Sequence, residues 1–485
     1  MIYLLFIYIC ILSGEISPGY TLFSPLPSQG APNYYTYLID NDGIYINTWV
    51  HDCKPVSLSY LLPDSSIVIP CSQNEVEGLG NPNQITGGRI LKLSWDGEIL
   101  WDDIFTNPDF EPHHDIEPLP NGNILFISYE RKTALEANLL GRLNIDDEIW
   151  PSYIFELEQV GIDSSNIVWE WHLWNHTIQD IDPSLPNYGN ISENPGLLDI
   201  NLGTLGGGGG ASGDWIHLNS IDYNSNLDLI VISSRKMNEF YFIDHSTTTE
   251  EAASSSGGNF NKGGNFIYRW GNPANYGIGD GSSQQLQFQH NVNWIDDSYP
   301  GGGDILLFNN RTQELGSQIV QISTPVIDFS YNLPMGESHG PEAPVWTYDE
   351  ASFFSNIQSG AQRLCNGNTL ISIGDSQSFF EIDSAGNQVW YYTFTGPSGQ
   401  TFMGNIPRVQ KYNSNYMIGD SIYGDLNFDL IVDILDITLL VNYIIDDLLE
   451  FNYLDFYDLN LDQNIDILDI ISLLNIVLEG SYRCQ

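Results

Sequence analysis

The amino-acid sequence predicts an all-β fold, a six-bladed β-propeller, followed by a small all-α calcium-loop domain. From about residue 33 to residue 421, short apolar or aromatic segments alternate with Gly, Asn and Asp, and helical periodicity is almost absent. Two kinds of segment each occur six times in this stretch and roughly interleave. Six degenerate units that each form a small antiparallel sheet are typical of a propeller, in which radial repetition also protects the strand edges. The alternative architecture is a pair of β-sandwiches.

The first recurring segment is a strand that ends in tryptophan, often after an Asp-x-Gly turn. Its six copies end at Trp49, Trp101, Trp169, Trp270, Trp346 and Trp390. The second is a hairpin whose polar turn leads into an apolar strand. Its turns lie at residues 62–65, 119–123, 223–226, 302–304, 364–368 and 412–415. The largest insertion, about residues 130–212, is expected to form loops on one face, because insertions in repeat folds concentrate on the binding face.

The charge balance excludes several classes of partner. The 485 residues include 62 acids but only 15 Lys and Arg, which gives a formal net charge of −47. Such a chain repels nucleic acid and anionic membrane surfaces, so neither is expected as a partner. With 42% hydrophobic and 16% charged residues, the chain is nevertheless expected to fold. Self-repulsion of this size favours a salty or calcium-bearing exterior, where it is screened.

The first residues predict export. Residues 2–12 form an apolar run followed by Ser13 and Gly14, which is the length of a signal-peptide core and too short to span a bilayer. We therefore predict a signal peptide over residues 1–19, an extracellular, cell-surface or periplasmic location, and no membrane span elsewhere. Cys53 and Cys71 flank an apparent hairpin and could pair in an oxidising compartment. The alternative is that all five cysteines are free thiols.

The sequence changes character after the predicted propeller, which we place at residues 20–420. Residues 421–485 show helical apolar periodicity and contain Arg483 as their one basic residue. Two segments 33 residues apart carry oxygen-bearing side chains at positions 1, 3, 5, 9 and 12 of a calcium-binding loop. These ligands are Asp425, Asn427, Asp429, Asp433 and Asp436 in the first loop, and Asp458, Asn460, Asp462, Asp466 and Asp469 in the second. We expect bound Ca²⁺ and metal-coupled folding; the alternative is a solvated pair of acidic helices.

Three histidine settings in the predicted propeller share a pattern, in which an Asp or Asn lies within two residues and an apolar strand is close by. They are His113-His114, His217 with Asn219, and His290. Residues at equivalent positions of different blades converge on the central channel, so the fold is expected to bring these histidines together. A lone histidine in a strand is more often a structural residue, which is the alternative interpretation.

Two arginines belong to the same hairpins as these histidines, namely Arg235 and Arg311. Cations beside a divalent metal are costly, so histidines and arginines together favour transfer of an oxyanion group over a metal site between the blades. A neutral imidazole can act as the nucleophile and a second histidine can protonate the leaving oxygen. Arginine would hold the remaining oxygens of the transferred group.

These residues lie in motifs that resemble those of a known family, the bacterial arylsulfate sulfotransferases. The resemblance covers most of residues 20–412 and is carried by HHDIEPLPNGNIL (113–125), DWIHLNSIDY (214–223), ISSR (232–235), FIDHSTTTEEAA (242–253), YRWGNP (268–273), QHNVNW (289–294) and SGAQRLCNGNTL (359–370). It implies a six-bladed propeller and a ping-pong reaction that needs no nucleotide sulfate donor and no catalytic cofactor. An aryl sulfate would pass its sulfuryl group to a histidine, and a phenol would then collect it.

The resemblance also implies roles for individual residues. His290 matches the sulfated nucleophile, and His217 and Arg235 match the sulfuryl clamp and acid/base pair, with Asn219 beside them. One histidine of the first motif, His113 or His114, would also face the site. Further substrate-binding candidates are Arg311, Arg363, His172 and His176; the two histidines either line the site or are structural.

The C-terminal segment resembles a type I dockerin, although Leu430 and Gln463 stand where the sixth loop residue is usually small. This resemblance implies attachment to a scaffold or surface protein through a cohesin domain. Two functional alternatives to the transferase remain open at this point. The propeller could be a non-catalytic module that binds sulfated or anionic ligands, or the same site could hydrolyse sulfate esters.

Overall fold

The computed structural model contains six antiparallel sheets that form the blades of a propeller, which confirms the predicted fold class of this region. It describes residues 14–27, 33–73, 78–79, 87–206, 213–312, 316–326, 329–349, 353–396, 404–414, 416–418, 426, 434–446, 457, 459 and 464–479. Five blades have four strands each. Blade two has five, because two short strands pair with the same neighbour.

The N-terminal strands build blades one and two. Their bounds are β1 (Tyr20–Phe23), β2 (Leu26–Pro27), β3 (Tyr34–Ile39), β4 (Tyr45–His51), β5 (Lys54–Pro55), β6 (Tyr60–Leu61), β7 (Ile67–Ser72), β8 (Gly88–Leu93) and β9 (Ile99–Ile104). Strands β1, β3 and β4 belong to blade one, and β5 to β9 form blade two. A disulfide joins Cys53, which precedes β5, to Cys71 in β7, so the predicted pairing is confirmed.

The next strands build blades three and four. They are β10 (Phe110–Pro118), β11 (Ile124–Glu130), β12 (Lys132–Thr133), β13 (Glu148–Ile149), β14 (Ser152–Gln159), β15 (Ser165–His172), β16 (Thr177–Ile178), β17 (Leu198–Asp199), β18 (Leu218–Asn224), β19 (Leu229–Ser234), β20 (Glu239–Asp244) and β21 (Tyr268–Trp270). Blade three consists of β10, β11, β14 and β15, and blade four of β18 to β21. Helices α1 (Ala134–Leu139) and α2 (Thr249–Ala252) lie in their connections.

The region 130–212 was expected to be an insertion made of loops, and this is only partly right. Two full strands of blade three, β14 and β15, fall within it. The β12–β13 ladder and α1 interrupt the blade between β11 and β14, which separates strands that are adjacent in the sheet. The sequence spacing therefore hid a regular blade inside an apparent insertion.

Blades five and six follow, and the last strand closes the ring. The bounds are β22 (His290–Trp294), β23 (Ile305–Asn309), β24 (Gln318–Ile322), β25 (Trp346–Tyr348), β26 (Gly360–Arg363), β27 (Thr369–Ser372), β28 (Ser378–Ile382), β29 (Gln388–Thr393), β30 (Gly404–Asn405) and β31 (Val409–Tyr412). Short 3-10 helices span Leu173–His176, Ile191–Glu193, Pro273–Tyr276, Gly281–Ser283 and Tyr416–Ile418. Strand β31 pairs with β1, with Tyr20 opposite Tyr412 and Phe23 opposite Val409, so blade one is completed from the other end of the chain.

The first strand of each sheet lies innermost and these strands contact one another around the channel. Strand β10 contacts β18, β18 contacts β22, β22 contacts β26, and β26 contacts β31. The middle strands are deeply buried because blades pack on both of their faces. In β19 and β20, for example, every residue is buried, and Phe240 and Phe242 of blade four share an apolar cluster with Leu307 and Val320 of blade five.

The six tryptophans that mark the predicted repeats lie in the outermost strands β4, β9, β15, β21, β25 and β29. Five of their indole N–H groups donate hydrogen bonds to the next blade around the ring. The pairs are Trp49 to Ser94 O, Trp101 to Ser165 Oγ, Trp169 to Thr247 Oγ1, Trp270 to Pro341 O and Trp390 to Asn41 O. The repeated tryptophan therefore connects neighbouring blades as well as filling the space between them.

The C-terminal segment contains two helices, α3 (Ile434–Asp446) and α4 (Ile467–Glu479). They contact each other and bury Ile437, Leu440 and Leu473 in a shared apolar cluster. This agrees with the predicted small helical domain. Within the part of the chain that the structure describes, no helix has the length and apolarity needed to cross a membrane.

Candidate active site

Three consecutive inner strands are irregular at the same end, where their histidines lie. The register of the strand pairing shifts between Pro112 and Ile116 in β10, between Leu218 and Ser220 in β18, and between His290 and Asn293 in β22. Bulges of this kind redirect side chains and are frequent beside active sites. They give the three histidine motifs equivalent positions in blades three, four and five, as their shared sequence pattern suggested.

The backbone at these bulges adopts conformations that side chains other than glycine rarely tolerate. The φ angle is +60° at His114, +54° at His217, +58° at Phe288 and +48° at Asn291. Each such residue costs of order 1 kcal/mol and persists only where the surroundings enforce it. Four of them close together on three neighbouring strands make this part of the channel the candidate functional site.

Of the two histidines in the first motif, His114 faces the other histidines. Its ring lies 4.7 Å from the ring of His217 at a steep angle. His113 is only 1% exposed and stacks on Tyr129, with ring centroids 3.7 Å apart. A hydrogen bond of 2.7 Å joins Nδ1 of His113 to Nδ1 of His114, so the buried His113 fixes the orientation of the His114 ring. Burial lowers the pKa of His113 to about 3 and that of His114 well below the usual value, with His217 acting in the same direction.

His290 is held in the tautomer that a nucleophile requires. Its Nδ1 lies 2.7 Å from Asn310 Oδ1. The amide nitrogen of Asn310 donates to the carbonyl oxygens of Ser355 and Gln358, which fixes Oδ1 as an acceptor. His290 must therefore carry its proton on Nδ1, and its Nε2 keeps a lone pair. Burial lowers the pKa of His290 to about 3, with the charge of Arg235 acting in the same direction, so the ring stays neutral at ordinary pH.

His217 is paired with a fully buried carboxylate, Asp214. The Nδ1 of His217 lies 2.7 Å from Asp214 Oδ2, and Lys236 Nζ lies 3.2 Å from the same oxygen. Burial opposes ionisation of Asp214, but His217 and Lys236 outweigh it and hold the pKa of this carboxyl well below its usual range. The pair therefore resembles the Asp–His unit that orients a proton-transferring imidazole in many enzymes.

Two guanidinium groups lie over one aromatic ring beside the histidines. The central carbon of Arg235 is 4.7 Å from the ring centroid of Phe288, and that of Arg311 is 5.1 Å from the same centroid. Among the described residues, neither arginine forms an ion pair with a carboxylate, although the side chain of Arg311 donates to Asn356. Burial lowers the pKa of Arg235, and the neighbouring Arg311 lowers it further. Such a pair of cations is a site for an anion.

Asn219 connects the strands that carry His217 and His290. Its amide nitrogen donates to Gln289 O at 2.7 Å, while its buried Oδ1 has no hydrogen-bond partner among the described residues. The amide of Gln289 in turn donates to Ser233 Oγ and to the carbonyl oxygens of Ser234 and Glu239. These bonds fix blade four against the start of β22.

Two predicted substrate-binding residues, His172 and His176, contact residues outside the histidine cluster. His172 contacts Glu130 and stacks on Tyr153. His176 is fully buried between Asn265 and Ala252 O and stacks on Trp171. These contacts favour the structural alternative that the sequence left open for both.

Arg363 lies at the last residue of β26 and bonds to Gln321 Oε1 and Gly367 O. It lines a cavity of about 300 Å³ together with Glu117, Asp222 and Lys411. These residues come from the later halves of their inner strands, whereas His290 begins β22, His217 directly precedes β18 and His114 lies at the middle of β10. Arg363 therefore belongs to the opposite end of the channel.

Four residues of the site were not predicted: Asp214, Tyr129, Asn310 and Phe288. Two of them carried a signal in the sequence. Asp214 lies three residues before His217 in the same motif. In blades four and five, the second strand is followed by an arginine of the site. Ser234 at the end of β19 precedes Arg235, and Asn310 directly after β23 precedes Arg311.

The described residues give a limited view of the predicted calcium loops. Asp436 and Asp469, the last ligand of each loop, are fully buried in the first turns of α3 and α4. Asp466 accepts a hydrogen bond from Leu468 N. The other seven predicted ligands, Asp425, Asn427, Asp429, Asp433, Asp458, Asn460 and Asp462, lie outside the described residues. Among the residues described, no group of three or more His, Cys, Asp or Glu could hold a metal ion.

Several solved structures resemble the chain distantly. A protein of unknown function from Bacteroides caccae is 14% identical, with a TM-score of 0.42 and coverage of 81% of this chain and 99% of its own. A protein from Lactobacillus plantarum is 9% identical, with a TM-score of 0.40 and coverage of 82% and 100%. Virginiamycin B lyase from Staphylococcus aureus is 12% identical, with a TM-score of 0.33 and coverage of 78% and 86%. These similarities are too weak to inform function.

Comparison with protein families gives a specific result. No curated protein sequence matches the chain. The family model described as Arylsulfotransferase (ASST), however, matches residues 30–393, which include every histidine and arginine of the cluster described above. The chain therefore belongs to the arylsulfotransferase (ASST) family.

Proposed function

We propose that this arylsulfotransferase moves a sulfuryl group from an aryl sulfate to a phenol through a sulfo-histidine at His290. The observation that carries the proposal is the position of two arginines that pair with no carboxylate among the described residues, Arg235 and Arg311, beside a neutral histidine with a free lone pair.

Arg235 and Arg311 belong to the minority of described basic residues that form no ion pair with a described carboxylate; the others are Lys54, Arg142, Lys262 and Arg363. Eight other basic residues form ion pairs with carboxylates: Arg89, Lys92, Arg131, Lys132, Lys236, Arg269, Arg408 and Lys411. What sets Arg235 and Arg311 apart is that they are adjacent, and two neighbouring cations with no carboxylate partner among the described residues are costly unless an anion neutralises them. A sulfate ester supplies that anion.

In the first half-reaction, Nε2 of His290 attacks the sulfur of the aryl sulfate. The bond from sulfur to the phenolic oxygen breaks, and this oxygen leaves with the bonding electrons and takes a proton from Nε2 of His217. Arg235 and Arg311 hold the other sulfuryl oxygens as charge redistributes. The positive charge that develops on His290 is stabilised by the bond from Nδ1–H to Asn310 Oδ1.

In the second half-reaction, an acceptor phenol takes the place of the departed one. Its hydroxyl returns a proton to His217, its oxygen attacks the sulfur, and the bond from sulfur to His290 Nε2 breaks. Each histidine then has its starting protonation state. The same site thus serves as acid and base in turn, as microscopic reversibility requires.

Mass spectrometry tests the proposal. The purified protein is exposed briefly to 4-nitrophenyl sulfate without an acceptor, and a sulfuryl adduct is expected on His290. His290→Ala should show neither adduct nor phenol release. Phenol release by the wild type without any adduct would favour hydrolysis by water, and binding of the ester without release would favour a non-catalytic module.

We further propose that residues 421–485 bind two Ca²⁺ ions. Support comes from Asp436 and Asp469, which are equivalent residues of the two predicted loops, both fully buried, and each bonded to a backbone N–H of its own loop. Buried carboxylates at the start of paired helices fit oxygen coordination of a hard cation. Calorimetric titration of Ca²⁺ into chelator-treated protein is expected to show two sites, and no binding would refute this.

An exported, scaffold-attached enzyme is consistent with these features. The disulfide between Cys53 and Cys71 supports an oxidising compartment. The dockerin resemblance supports a cohesin domain as partner, and a calcium-dependent pull-down with a type I cohesin tests this. Loss of capture in chelator is the expected outcome.

A further inference from the structure

Asp214 has no part in the two half-reactions, yet it is a fully buried carboxylate in contact with His217. It is 0% exposed and lies in the short segment before β18. The neighbouring Gly213 accepts a hydrogen bond from Trp150 N through its carbonyl oxygen, at 2.7 Å. A Cβ at Gly213 would lie 2.7 Å from the Trp150 indole, so no larger residue fits without movement. The segment that carries Asp214 is therefore fixed against blade three.

The carboxylate oxygen Oδ2 of Asp214 has two ionic partners. His217 Nδ1 lies 2.7 Å from this oxygen, and Lys236 Nζ lies 3.2 Å from it. Lys236 is itself held by the carbonyl oxygens of Gly206 and Asp214. Because the carboxylate can only accept, His217 Nδ1 must carry a proton, and Nε2 is the nitrogen that exchanges protons with substrate.

This arrangement answers an electrostatic problem in the site. The proposed reaction needs His217 to hold a second proton, yet Arg235 and Arg311 occupy the same end of the channel. Adjacent like charges disfavour a protonated imidazole. Asp214 supplies the opposite charge in direct contact with the ring.

We propose that Asp214 is the positioning residue that orients His217 and supplies the opposite charge during proton transfer to the leaving phenolic oxygen. This inference rests on the proposed function. The proton on Nε2 passes to the phenolic oxygen as the sulfur–oxygen bond breaks, and it returns from the acceptor hydroxyl. Asp214 stays ionised throughout and touches no substrate atom.

The test is the dependence of rate on the leaving group in Asp214→Asn. A good leaving phenol, such as 4-nitrophenol, departs without help, whereas unsubstituted phenol needs the acid. Asp214→Asn should therefore lose about 100- to 1,000-fold in kcat with phenyl sulfate and less than about tenfold with 4-nitrophenyl sulfate. A structural role would lower both rates by the same factor, and that result would overturn the inference.

Asp228→Asn is the matched control. Asp228 contacts His245 at 2.8 Å, so this variant also breaks an Asp–His pair in blade four, but away from the histidine cluster. It should leave the leaving-group dependence unchanged. The same steep dependence in this control would overturn the assignment of Asp214.

Lys236→Met keeps the inference testable if Asp214→Asn does not fold. Removing the cation should raise the pH at which kcat/KM falls on the alkaline side, whereas Asp214→Asn should lower it, each by on the order of one pH unit. An unmoved alkaline limb in Lys236→Met would count against the inference. Absence of any phenol release from the folded wild type would instead refute the proposed function, and this inference with it.

Discussion

Replacement of Arg235 by methionine should reduce sulfuryl transfer far more than the same replacement of Arg311. Both guanidinium groups lie over Phe288, but they are not equivalent. The charge of Arg235 lowers the pKa of His290 and of His114, so it acts directly at the nucleophile. Arg311 acts on Arg235 and is tied to Asn356.

The magnitudes follow from these roles. Loss of one group that stabilises developing negative charge costs about 100- to 1,000-fold in kcat, or about 3–4 kcal/mol, and we expect this for Arg235→Met. Arg311→Met keeps the inner cation and should cost about tenfold, or about 1.4 kcal/mol. Arg235→Met should also raise the pKa of His290, because a neighbouring positive charge is removed.

The assay is single-turnover release of 4-nitrophenol at saturating donor, with thermal unfolding used to confirm that each variant is folded. Arg363→Met is the matched control, since Arg363 is also held by neutral oxygens but lies at the opposite end of the channel. It should retain nearly full activity. Full activity in Arg235→Met, or a larger loss in Arg311→Met, would refute this assignment of the two arginines.

Three further predictions concern positioning and stability. Asn310→Leu should lower kcat about tenfold or more with little change in KM, because His290 is then free to adopt the tautomer without a lone pair on Nε2. Burst kinetics with 4-nitrophenyl sulfate would measure this loss, and an unchanged burst rate would contradict the prediction. Folding stability should peak near neutral pH. His290, with a folded pKa of about 3, contributes stability that is full above its unfolded pKa of about 6.5 and is lost as the pH falls towards 3. Burial lowers the pKa of His245, but its bonds to Asp228 and Glu156 outweigh this effect and raise the pKa to about 9. His245 therefore contributes stability that is full below about pH 6.5 and is lost as the pH rises to 9. Urea unfolding of His245→Gln across this range should show a smaller loss of stability on the alkaline side. Reduction of the disulfide between Cys53 and Cys71 should lower the free energy of unfolding by about 3 kcal/mol, measured by denaturation with and without reductant; equal midpoints would contradict it.

The number of blades and the clustering of the three histidines could be predicted from the sequence because both depend on local patterns. Each outermost strand contains one of the six recurring tryptophans, and five of their indole N–H groups donate to the next blade. His114, His217 and His290 come together because their motifs occupy the same position in successive blades. Repetition of a local unit thus gave information about contacts between residues far apart in the chain.

Other parts of the site depend on contacts that no local pattern encodes. The choice between His113 and His114 is made by a bulge whose register is set only when β10 pairs with β11. Asn310 is identified as the partner of His290 only by the orientation of its amide, which two carbonyl oxygens of the following segment fix. Arg363 is the opposite case. The motif around it suggested a residue of the anion site, but its position at the end of β26 places it at the other end of the channel.

Closure of the ring by β31 has a consequence for where the protein can fray. The seam between the first and last strands of the propeller is a noncovalent ladder of four residue pairs within blade one. Blade four lies directly across the ring from blade one. The segment before β31 nevertheless reaches the site, because Arg408 forms an ion pair with Asp115, the neighbour of His114. Local opening at the two ends of the propeller would therefore break a contact beside the histidine cluster, so closure of the ring also holds the reacting groups in place.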